Sequence, residues 1–284
     1  MNNAITVNNV TKKYTDFLLD NINFFVPSGY ICGFIGQNGA GKTTTLKLIL
    51  NMAAKDSGKI EILGKSNEDI SIKEDVGVLF DRPYFQEDWT ITDIEKALQP
   101  FYQKWDSQAY HSYIEKFALK PTQKFKTLSR GMKMKLGLAT ALSHNAKLLL
   151  LDEPTSGLDP VMRDEMLDIF RDYMVEENRT ILFSTHITSD LEKTADYIVY
   201  IHKGQILYSG LKEELTEKYC FIRGGSGDLP QEKRKNIIGL REHSGGFEGI
   251  IAVIEIGGFS SSVITESVSL DDIMIHVSRK GAEL

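Results

Sequence analysis

Cysteine is scarce in this sequence, and long apolar runs are missing. The two cysteines among its 284 residues, Cys32 and Cys220, are far apart and lack the spacing of a metal site. They exclude a disulfide framework and indicate reduced thiols in a cytosolic setting. No apolar run approaches the ~20 residues of a membrane span, and residues 1–20 lack the charged, apolar and small-residue order of a signal peptide. If the protein acts at a membrane, we expect another subunit to supply the spans.

An excess of positive charge is also missing. Lysine and arginine number 33 against 39 aspartates and glutamates, which gives a net charge of −6. This balance disfavours a protein whose main function is to grip nucleic acid phosphates, although a local basic patch is compatible with it. With 42% hydrophobic and 25% charged residues, the chain has the composition of a globular protein and is long enough for one large domain and a small appendage.

The most informative stretch is a glycine-rich loop at residues 36–44, GQNGAGKTT, between an apolar run at 30–35 and a helix-like stretch at 46–52. The pattern predicts a phosphate-binding loop. Its glycines let successive N–H groups point into one concavity, Lys42 reaches the outer phosphates, and the Thr43 hydroxyl ligates Mg²⁺. A glycine-rich surface turn is the alternative, but the strand before the loop and the helix after it favour a nucleoside triphosphate as the ligand.

Two adjacent acids, Asp152 and Glu153, follow an apolar run at 148–151. In an open α/β sheet the carboxyl end of a strand faces the ligand crevice, and strand alternation lets the two side chains take different roles. We expect Asp152 to hold the Mg²⁺ shell and Glu153 to accept a proton from an attacking water. His186 follows another apolar run, at 180–183. A lone histidine is usually structural, but its place at a strand end favours a sensor of the γ-phosphate.

Two further features carry little weight by themselves. Ser129 lies near the start of an amphipathic helix predicted over 133–143, which gives a second helix N-terminus suited to phosphate, although most such helix starts bind nothing. Tyr14 precedes the glycine-rich loop by about two strands. A packed aromatic is the simpler interpretation of Tyr14, and stacking on a nucleotide base is the other.

Periodicity predicts an α/β fold with an antiparallel edge sheet, whose strands lie at 4–10 and 18–26, and a closing hairpin at 198–208. Residues 84–118 are rich in aromatic residues at helical spacing and contain a capping-box-like motif at 92–95, which predicts a helical insertion. The aromatic residues form the core of that insertion or line a groove for a partner helix.

The end of the chain is predicted to be a small α+β appendage, over residues 216–284. Strands are expected at 219–222 and 247–256, and a capped helix is expected at 269–278. This region stabilises a dimer, regulates it, or simply packs against the main domain, and the sequence leaves the three roles open.

Residues 3–215 resemble the nucleotide-binding subunit of an ABC transporter, because several separate motifs occur in that family's order. The resemblance implies a P-loop ABC cassette with a mostly parallel core sheet, an antiparallel edge sheet and a helical insertion over about 84–140. The motifs are Walker A at 36–44, the signature motif at 128–132, Walker B at 148–152, the D-loop at 156–159 and the switch histidine, His186.

The same resemblance implies ATP and Mg²⁺ as cofactors and assigns the site residues. The implied catalytic residues are Glu153, His186 and Lys42. The implied ATP-contacting residues within one chain are Tyr14, which stacks on the base, and Gly36, Asn38, Gly39, Ala40, Gly41, Lys42, Thr43 and Thr44. In this family two cassettes face head to tail, so that Ser129 and Gly131 of one subunit contact the ATP held by Lys42 of the other. ATP-driven closure of a dimer is the implied mechanism.

Two positions depart from the family pattern. The signature motif reads L-S-R-G-M instead of the usual L-S-G-G-Q, so Arg130 and Met132 alter its rim. Asp81 stands where the family has the Q-loop glutamine. Its carboxylate could ligate Mg²⁺ more strongly than an amide, or repel the γ-phosphate when the metal is absent. The metal ligands we expect are Thr43, Asp152 and Asp81.

These departures, with the stretches at 101–106 and 184–192, make the chain similar to bacterial ABC-2-type cassettes. Those cassettes serve exporters of peptides, antibiotics or related amphiphiles, and they include phenol-soluble modulin exporter ATPases. The resemblance implies two partners at the cytoplasmic face of the membrane: a second ATP-binding subunit, identical or paralogous, and a multi-span permease. No nucleic acid partner is expected.

The competing interpretation is a soluble ABC ATPase that acts on ribosomes or DNA. Such proteins generally resemble two fused cassettes or a cassette split by a long coiled coil, whereas this chain has one cassette and no sustained heptads. A nucleotide-binding regulator without turnover is a third interpretation.

Overall fold

The computed structural model describes residues 2–176 and 178–278, and within them the chain forms three sheets and eight α-helices. The strands are β1 (Asn3–Lys13), β2 (Leu18–Pro27), β3 (Ile31–Ile35), β4 (Ser57–Ile62), β5 (Lys65–Ser66), β6 (Val76–Leu79), β7 (Leu148–Asp152), β8 (Thr180–Thr185), β9 (Tyr197–His202), β10 (Gln205–Leu211), β11 (Tyr219–Gly224), β12 (Ile238–His243), β13 (Gly246–Ala252) and β14 (Ile264–Ser267). The helices are α1 (Lys42–Ile49), α2 (Ile91–Leu98), α3 (Ser107–Lys116), α4 (Arg130–Leu142), α5 (Pro160–Met174), α6 (Thr188–Thr194), α7 (Lys212–Lys218) and α8 (Leu270–Val277). The predicted mixed α/β fold is confirmed.

The central sheet has the strand order β10-β9-β3-β8-β7-β6, and it is parallel except for the β9–β10 hairpin. Every residue of β3, β7 and β8 is buried, which explains their continuous apolar runs. Ile35 lies in register with Thr185, and Asp152 lies in register with Ser184. The carboxyl ends of the three strands therefore meet at one edge, which brings the glycine-rich loop, the acid pair and His186 together.

The predicted edge sheet is antiparallel, with the order β2-β1-β4-β5. Helix α1 lies between this sheet and the central sheet. Its buried Leu46, Leu48 and Ile49 belong to one apolar cluster with side chains of both sheets, such as Ile5 and Leu150. The packing holds α1, and with it the glycine-rich loop, in a fixed position over the central strands.

Helices α2, α3 and α4 form the predicted helical insertion, and two of its details correct the prediction. The capping box is formed by Thr90 and Asp93, not by residues 92–95. Thr92 instead donates to the carbonyl of Pro121. Helix α4 begins at Arg130, three residues before the predicted 133, and Ser129 is its N-cap, as predicted. Residues 90–93 and 92–95 are both Thr-x-x-acid patterns, so the sequence alone does not distinguish the two possible starts of α2.

The aromatic residues of the insertion divide into a core and an exposed group. Tyr110 is 1% exposed, packs against Trp105 at 5.4 Å between ring centroids, and donates to the carbonyl of Ile91. Tyr84 and Phe101 are 86% and 79% exposed. The predicted core is confirmed for the buried members of the set, and a partner surface for the exposed members stays a prediction.

The C-terminal region begins with β11 and forms an antiparallel sheet of order β12-β13-β11-β14, covered by α8. The second predicted strand, at 247–256, ends at Ala252, where the short 3₁₀ helix Val253–Glu255 follows. Strands β12 and β14 were not predicted. The last residues of the predicted appendage, 279–284, lie outside the described residues.

This C-terminal region shares the apolar core of the central sheet. Leu270 and Ile273 of α8 belong to the same buried cluster as Leu167 and Ile181. Helix α8 is also bonded to α6, the helix after His186, since the Leu270 N–H donates to Glu192 at 3.1 Å. No helix within residues 2–176 and 178–278 combines the length and the apolar character needed to cross a bilayer.

The shared core gives a first testable prediction. Ile273→Ala is expected to lower the free energy of unfolding by about 2–4 kcal/mol, because it opens a cavity at a side chain that is 2% exposed. Ile275→Ala on the same helix is the control, since Ile275 is 46% exposed and its replacement is expected to cost less than about 1 kcal/mol. Urea unfolding of the two variants measures both values. Equal losses would contradict the packing of α8 described above.

Candidate functional site

The glycine-rich loop joins β3 to α1 by a sharp turn. A Cβ on Gly36 would lie 2.4 Å from the carbonyl oxygen of Ile201. Gly41, with φ of +116°, is the last residue before α1, and a Cβ there would lie 2.7 Å from Leu19. Only glycine fits both positions. Helix α1 begins at Lys42 instead of 46, so its N-terminus opens directly onto the loop, as a phosphate site requires.

Lys42 is buried inside the loop and carries its charge there. Its side chain is 5% exposed, and Nζ donates to the carbonyl oxygen of Gly36 at 2.7 Å. The same Nζ lies 3.1 Å from Oε1 of Glu153. A buried ammonium needs such partners because its desolvation is costly. Phosphate oxygens entering the loop would therefore compete with Glu153 for Lys42.

Glu153 sits in a strained backbone conformation that fixes its direction. Its φ is +49°, in the left-handed region, which costs a residue with a side chain ~1–3 kcal/mol. Its N–H donates to Ser184, to the hydroxyl and the carbonyl oxygen, both at 3.1 Å. Its second carboxylate oxygen, Oε2, lies 2.8 Å from Nδ1 of His186. The three residues predicted to be catalytic thus form one line, Lys42–Glu153–His186.

Asp152 has a different environment from its neighbour, as expected, but strand alternation is not the reason: β7 ends at Asp152, and Glu153 already has a left-handed backbone. Asp152 is 2% exposed, and both of its carboxylate oxygens accept hydroxyl hydrogen bonds. Thr43 donates to Oδ2 at 2.8 Å, and Ser184 donates to Oδ1 at 2.6 Å. The predicted pair of metal ligands, Thr43 and Asp152, is therefore together. Ser184 is a supporting residue that the sequence analysis did not predict, although a polar side chain at the end of a buried strand was the available signal.

An open cavity of about 1090 Å³ lies in front of these groups. The predicted residues that line it are Tyr14, Asn38, Gly39, Gly41, Lys42, Thr43, Thr44, Asp81, Asp152 and Glu153. The lining residues that sequence reasoning missed are Asp16, Phe17, Lys47, Met52, Phe80, Arg82 and Tyr84. Tyr14 is 43% exposed at the rim, so it is not the packed aromatic of the simpler interpretation. The other two predicted loop residues, Gly36 and Ala40, do not line the cavity. The carbonyl oxygen of Gly36 accepts from Lys42, and Ala40 is buried.

Ser129 and Gly131 stand apart from this cavity. Ser129 caps α4, and its hydroxyl accepts the N–H of Met132 at 3.3 Å. A Cβ on Gly131 would lie 2.2 Å from Cε of Met162, so the flexible Met162 side chain of α5 packs directly against this glycine. Neither residue lines the cavity of its own chain, and their contact with a nucleotide held by a second chain stays a prediction.

One buried acid near the site was not predicted. Asp190, in the first turn of α6 after His186, is 1% exposed and accepts the hydroxyl of Thr155 at 2.6 Å. Burial raises the pKa of Asp190, while the Thr155 hydrogen bond and the charge of Arg163 oppose that rise. The bond ties the segment after Glu153 to the helix after His186. Thr155 and Asp190 are 35 residues apart in sequence, so no local sequence pattern predicts this hydrogen bond.

Comparison with known proteins decides the family. Residues 19–156 match the family model described as ABC transporter. The bacitracin transport ATP-binding protein BcrA of Enterococcus faecalis is 33% identical over 271 residues, which cover 93% of this chain and 87% of that protein. The chain belongs to the ATP-binding proteins of the ABC transporter family. The resemblance read from the motifs is confirmed, and the activity of this ABC ATPase is ATP hydrolysis.

Other relatives and solved structures agree. The ABC ATPase is 35% identical over 215 residues to BcrA of Bacillus licheniformis, which covers 73% of this chain and 69% of that protein. It is 32% identical to the lantibiotic transport ATP-binding protein SrtF of Streptococcus pyogenes, with 76% and 95% covered. A solved ATP-binding subunit of an ABC transporter superposes with a TM-score of 0.68 at 25% identity, over 75% of this chain and 91% of that one. A dimeric cassette bound to ADP and Pi superposes with a TM-score of 0.65 at 23% identity, over 73% and 98%, and shares the fold.

Proposed function

We propose that this ABC ATPase powers the export of peptides or amphiphilic antibiotics through a separate membrane subunit, by ATP-driven closure of two cassettes. Three relatives that carry names of bacitracin or lantibiotic transport support the substrate class. The observation that carries the catalytic part of the proposal is the line Lys42–Glu153–His186 at the glycine-rich loop. The cassette is residues 1–215 in this proposal, and residues 216–284 are an accessory region.

In the proposed mechanism the phosphates of ATP replace Glu153 as the ion-pair partner of Lys42. The loop N–H groups and the start of α1 hold the phosphates, and Lys42 stabilises the charge that develops on the γ-phosphate. Glu153, released from its ion pair and still oriented by His186, accepts the proton of the water that attacks in line. Asn38, Thr44 and Tyr14 line the same cavity and would contact the rest of the nucleotide.

Mg²⁺ fits the pair formed by Thr43 and Asp152. The described residues contain no cluster of three or more acidic, histidine or cysteine side chains that could cage a metal. This suits Mg²⁺, which is usually held by one or two carboxylates together with substrate phosphates and waters. When bound there, the ion would supply positive charge that offsets the negative charge of the phosphates. Asp81, on the cavity wall, is a third residue in our proposal for this metal.

Closure of a dimer would complete the site. Ser129, Gly131 and the N-terminus of α4 lie outside the cavity of their own chain, so a second subunit, identical or paralogous, would bring its own copies to the nucleotide. The exposed Phe101 of the insertion, which does not line the cavity, offers apolar surface to a membrane permease. We propose that the complex works at the cytoplasmic face of the membrane.

The test is a mild-detergent pull-down of the tagged chain from membranes of its native host, with ATPase activity measured on the recovered complex. Co-purification of a multi-span protein that raises the turnover supports the proposal. Recovery only from the soluble fraction, together with ribosomes or DNA, would contradict the transport function and leave the ATPase assignment intact.

Ser184→Ala tests the support of the metal site. The change removes a hydroxyl that holds Asp152 and the N–H of Glu153. We expect the Mg²⁺ concentration for half-maximal ATPase to rise by about 10-fold or more, because groups that orient a metal ligand have effects of that size. Ser143→Ala is the matched control, since Ser143 is also fully buried and its hydroxyl donates at 2.6 Å. Both variants should lose about 1–3 kcal/mol of stability, and only Ser184→Ala should shift the Mg²⁺ titration. An unshifted titration would remove Ser184 from the metal site.

A further inference from the structure

The two positions at which this chain departs from the family pattern touch each other. Nη2 of Arg130, in the signature motif, lies 2.5 Å from Oδ1 of Asp81, in the Q-loop position. Arg130 is the first residue of α4, and Asp81 follows β6. The residues are 49 positions apart, and their opposite charges form an ion pair.

The guanidinium of Arg130 has a second neighbour, Gly157 of the D-loop. A Cβ on Gly157 would lie 2.9 Å from Nη1 of Arg130 and 3.1 Å from its Cζ. Because Gly157 has no side chain, the guanidinium lies against the backbone there while it pairs with Asp81. Arg130 thus joins three segments: the end of β6, the start of α4 and the D-loop. Its position is set by contacts inside one chain.

The charge at the cavity explains what this pair does. The lining contains three cationic side chains, Lys42, Lys47 and Arg82, against four carboxylates, those of Asp16, Asp81, Asp152 and Glu153. Glu153 pairs with Lys42 inside the cavity. Asp81 forms its ion pair with Arg130, which does not line the cavity. Without that cation, the carboxylate of Asp81 would face the polyanionic phosphates of ATP, and the repulsion would be strongest at low salt.

We propose that Arg130 is a positioning residue that compensates the charge of Asp81, so that a chain with an acid in the Q-loop position still binds ATP in its own cavity. This role concerns a single chain and goes beyond the transport function proposed above. It differs from the role of the signature motif across a dimer, because it acts on the nucleotide of the same subunit.

The test is the affinity of the isolated chain for ATP in EDTA at low salt, measured by calorimetry at a concentration where sedimentation shows monomers. Arg130→Met is expected to weaken ATP binding by about three- to tenfold, since the carboxylate loses its counter-charge. Asp81→Asn combined with Arg130→Met is expected to restore the affinity to within about twofold of the parent chain. Raising the salt to about 0.5 M should remove most of the loss in the single variant, because exposed charges are screened.

Arg171→Met is the matched control. Arg171 pairs with Asp168 at the same distance of 2.5 Å, with comparable exposure, on α5. Its replacement should leave the ATP affinity unchanged, and both arginine variants should keep the melting temperature of the parent, because exposed ion pairs contribute little stability. An unchanged affinity in Arg130→Met would overturn the proposal. So would a double variant as weak as the single one, since Arg130 would then act on ATP without Asp81.

Discussion

Replacement of Glu153 by glutamine is expected to slow ATP hydrolysis by about 10²- to 10⁴-fold, the usual contribution of a general base. The amide keeps the shape of the side chain but cannot take a proton from water. ATP binding should persist, because Lys42 loses the carboxylate that holds it at 3.1 Å and is free to contact phosphate. The variant should therefore accumulate as an ATP-bound dimer, which sedimentation in the presence of ATP measures.

Glu165→Gln is a suitable control for the loss of one carboxylate. Glu165 is exposed on α5 and pairs with Lys135 at 2.7 Å, away from the cavity. Its replacement should leave turnover and sedimentation as in the parent chain. Near-normal turnover by Glu153→Gln would show that another group accepts the proton, and the line of three residues would lose its proposed role.

The second large effect is expected from Lys42→Ala. Charge-assisted hydrogen bonds from an ammonium to phosphate contribute about 1.5–3 kcal/mol, so ATP affinity should fall by about 10- to 150-fold. Turnover should fall with it, since the same ammonium stabilises the transferring phosphoryl group. Equilibrium binding of ATP and steady-state hydrolysis give the two values separately.

Lys47→Ala controls for the removal of positive charge from the cavity. Lys47 lines the cavity but is exposed to solvent, where its interaction with phosphate is screened. Its replacement should weaken ATP binding by less than about threefold. Equal losses in the two variants would mean that Lys42 acts only through overall charge and not through its buried position in the loop.

Much of the site could be predicted because it stands at the ends of buried strands. Three continuous apolar runs, now β3, β7 and β8, each end in polar residues, and a parallel sheet brings such ends together. Apolar periodicity predicts the start of α1 four residues late, because Lys42, Thr43, Thr44 and Thr45 show no such periodicity. The helix is stabilised by the core packing of Leu46 and the residues after it, and its first turn extends back to Lys42 at the loop.

Other features depend on contacts that no local pattern records. Strand β14 is exposed at all four residues and pairs with β11 only, so its sequence lacks the alternation of a half-buried strand. The bond between Thr155 and Asp190 and the ion pair between Asp81 and Arg130 join distant segments. The motif comparison identified Asp81 and Arg130 as separate departures, and only the fold brings them into contact.

We propose that ATP is hydrolysed at a site that Ser129 of a second chain completes. It is tested most directly by mixing two inactive variants, Lys42→Ala and Ser129→Arg, and measuring ATP turnover. In equal proportions half of the dimers would combine both variants and contain one intact site, so we expect about a quarter of the parent turnover for a symmetric dimer with independent sites. Near-normal turnover by Ser129→Arg alone, or a mixture no more active than its parts, would contradict the account.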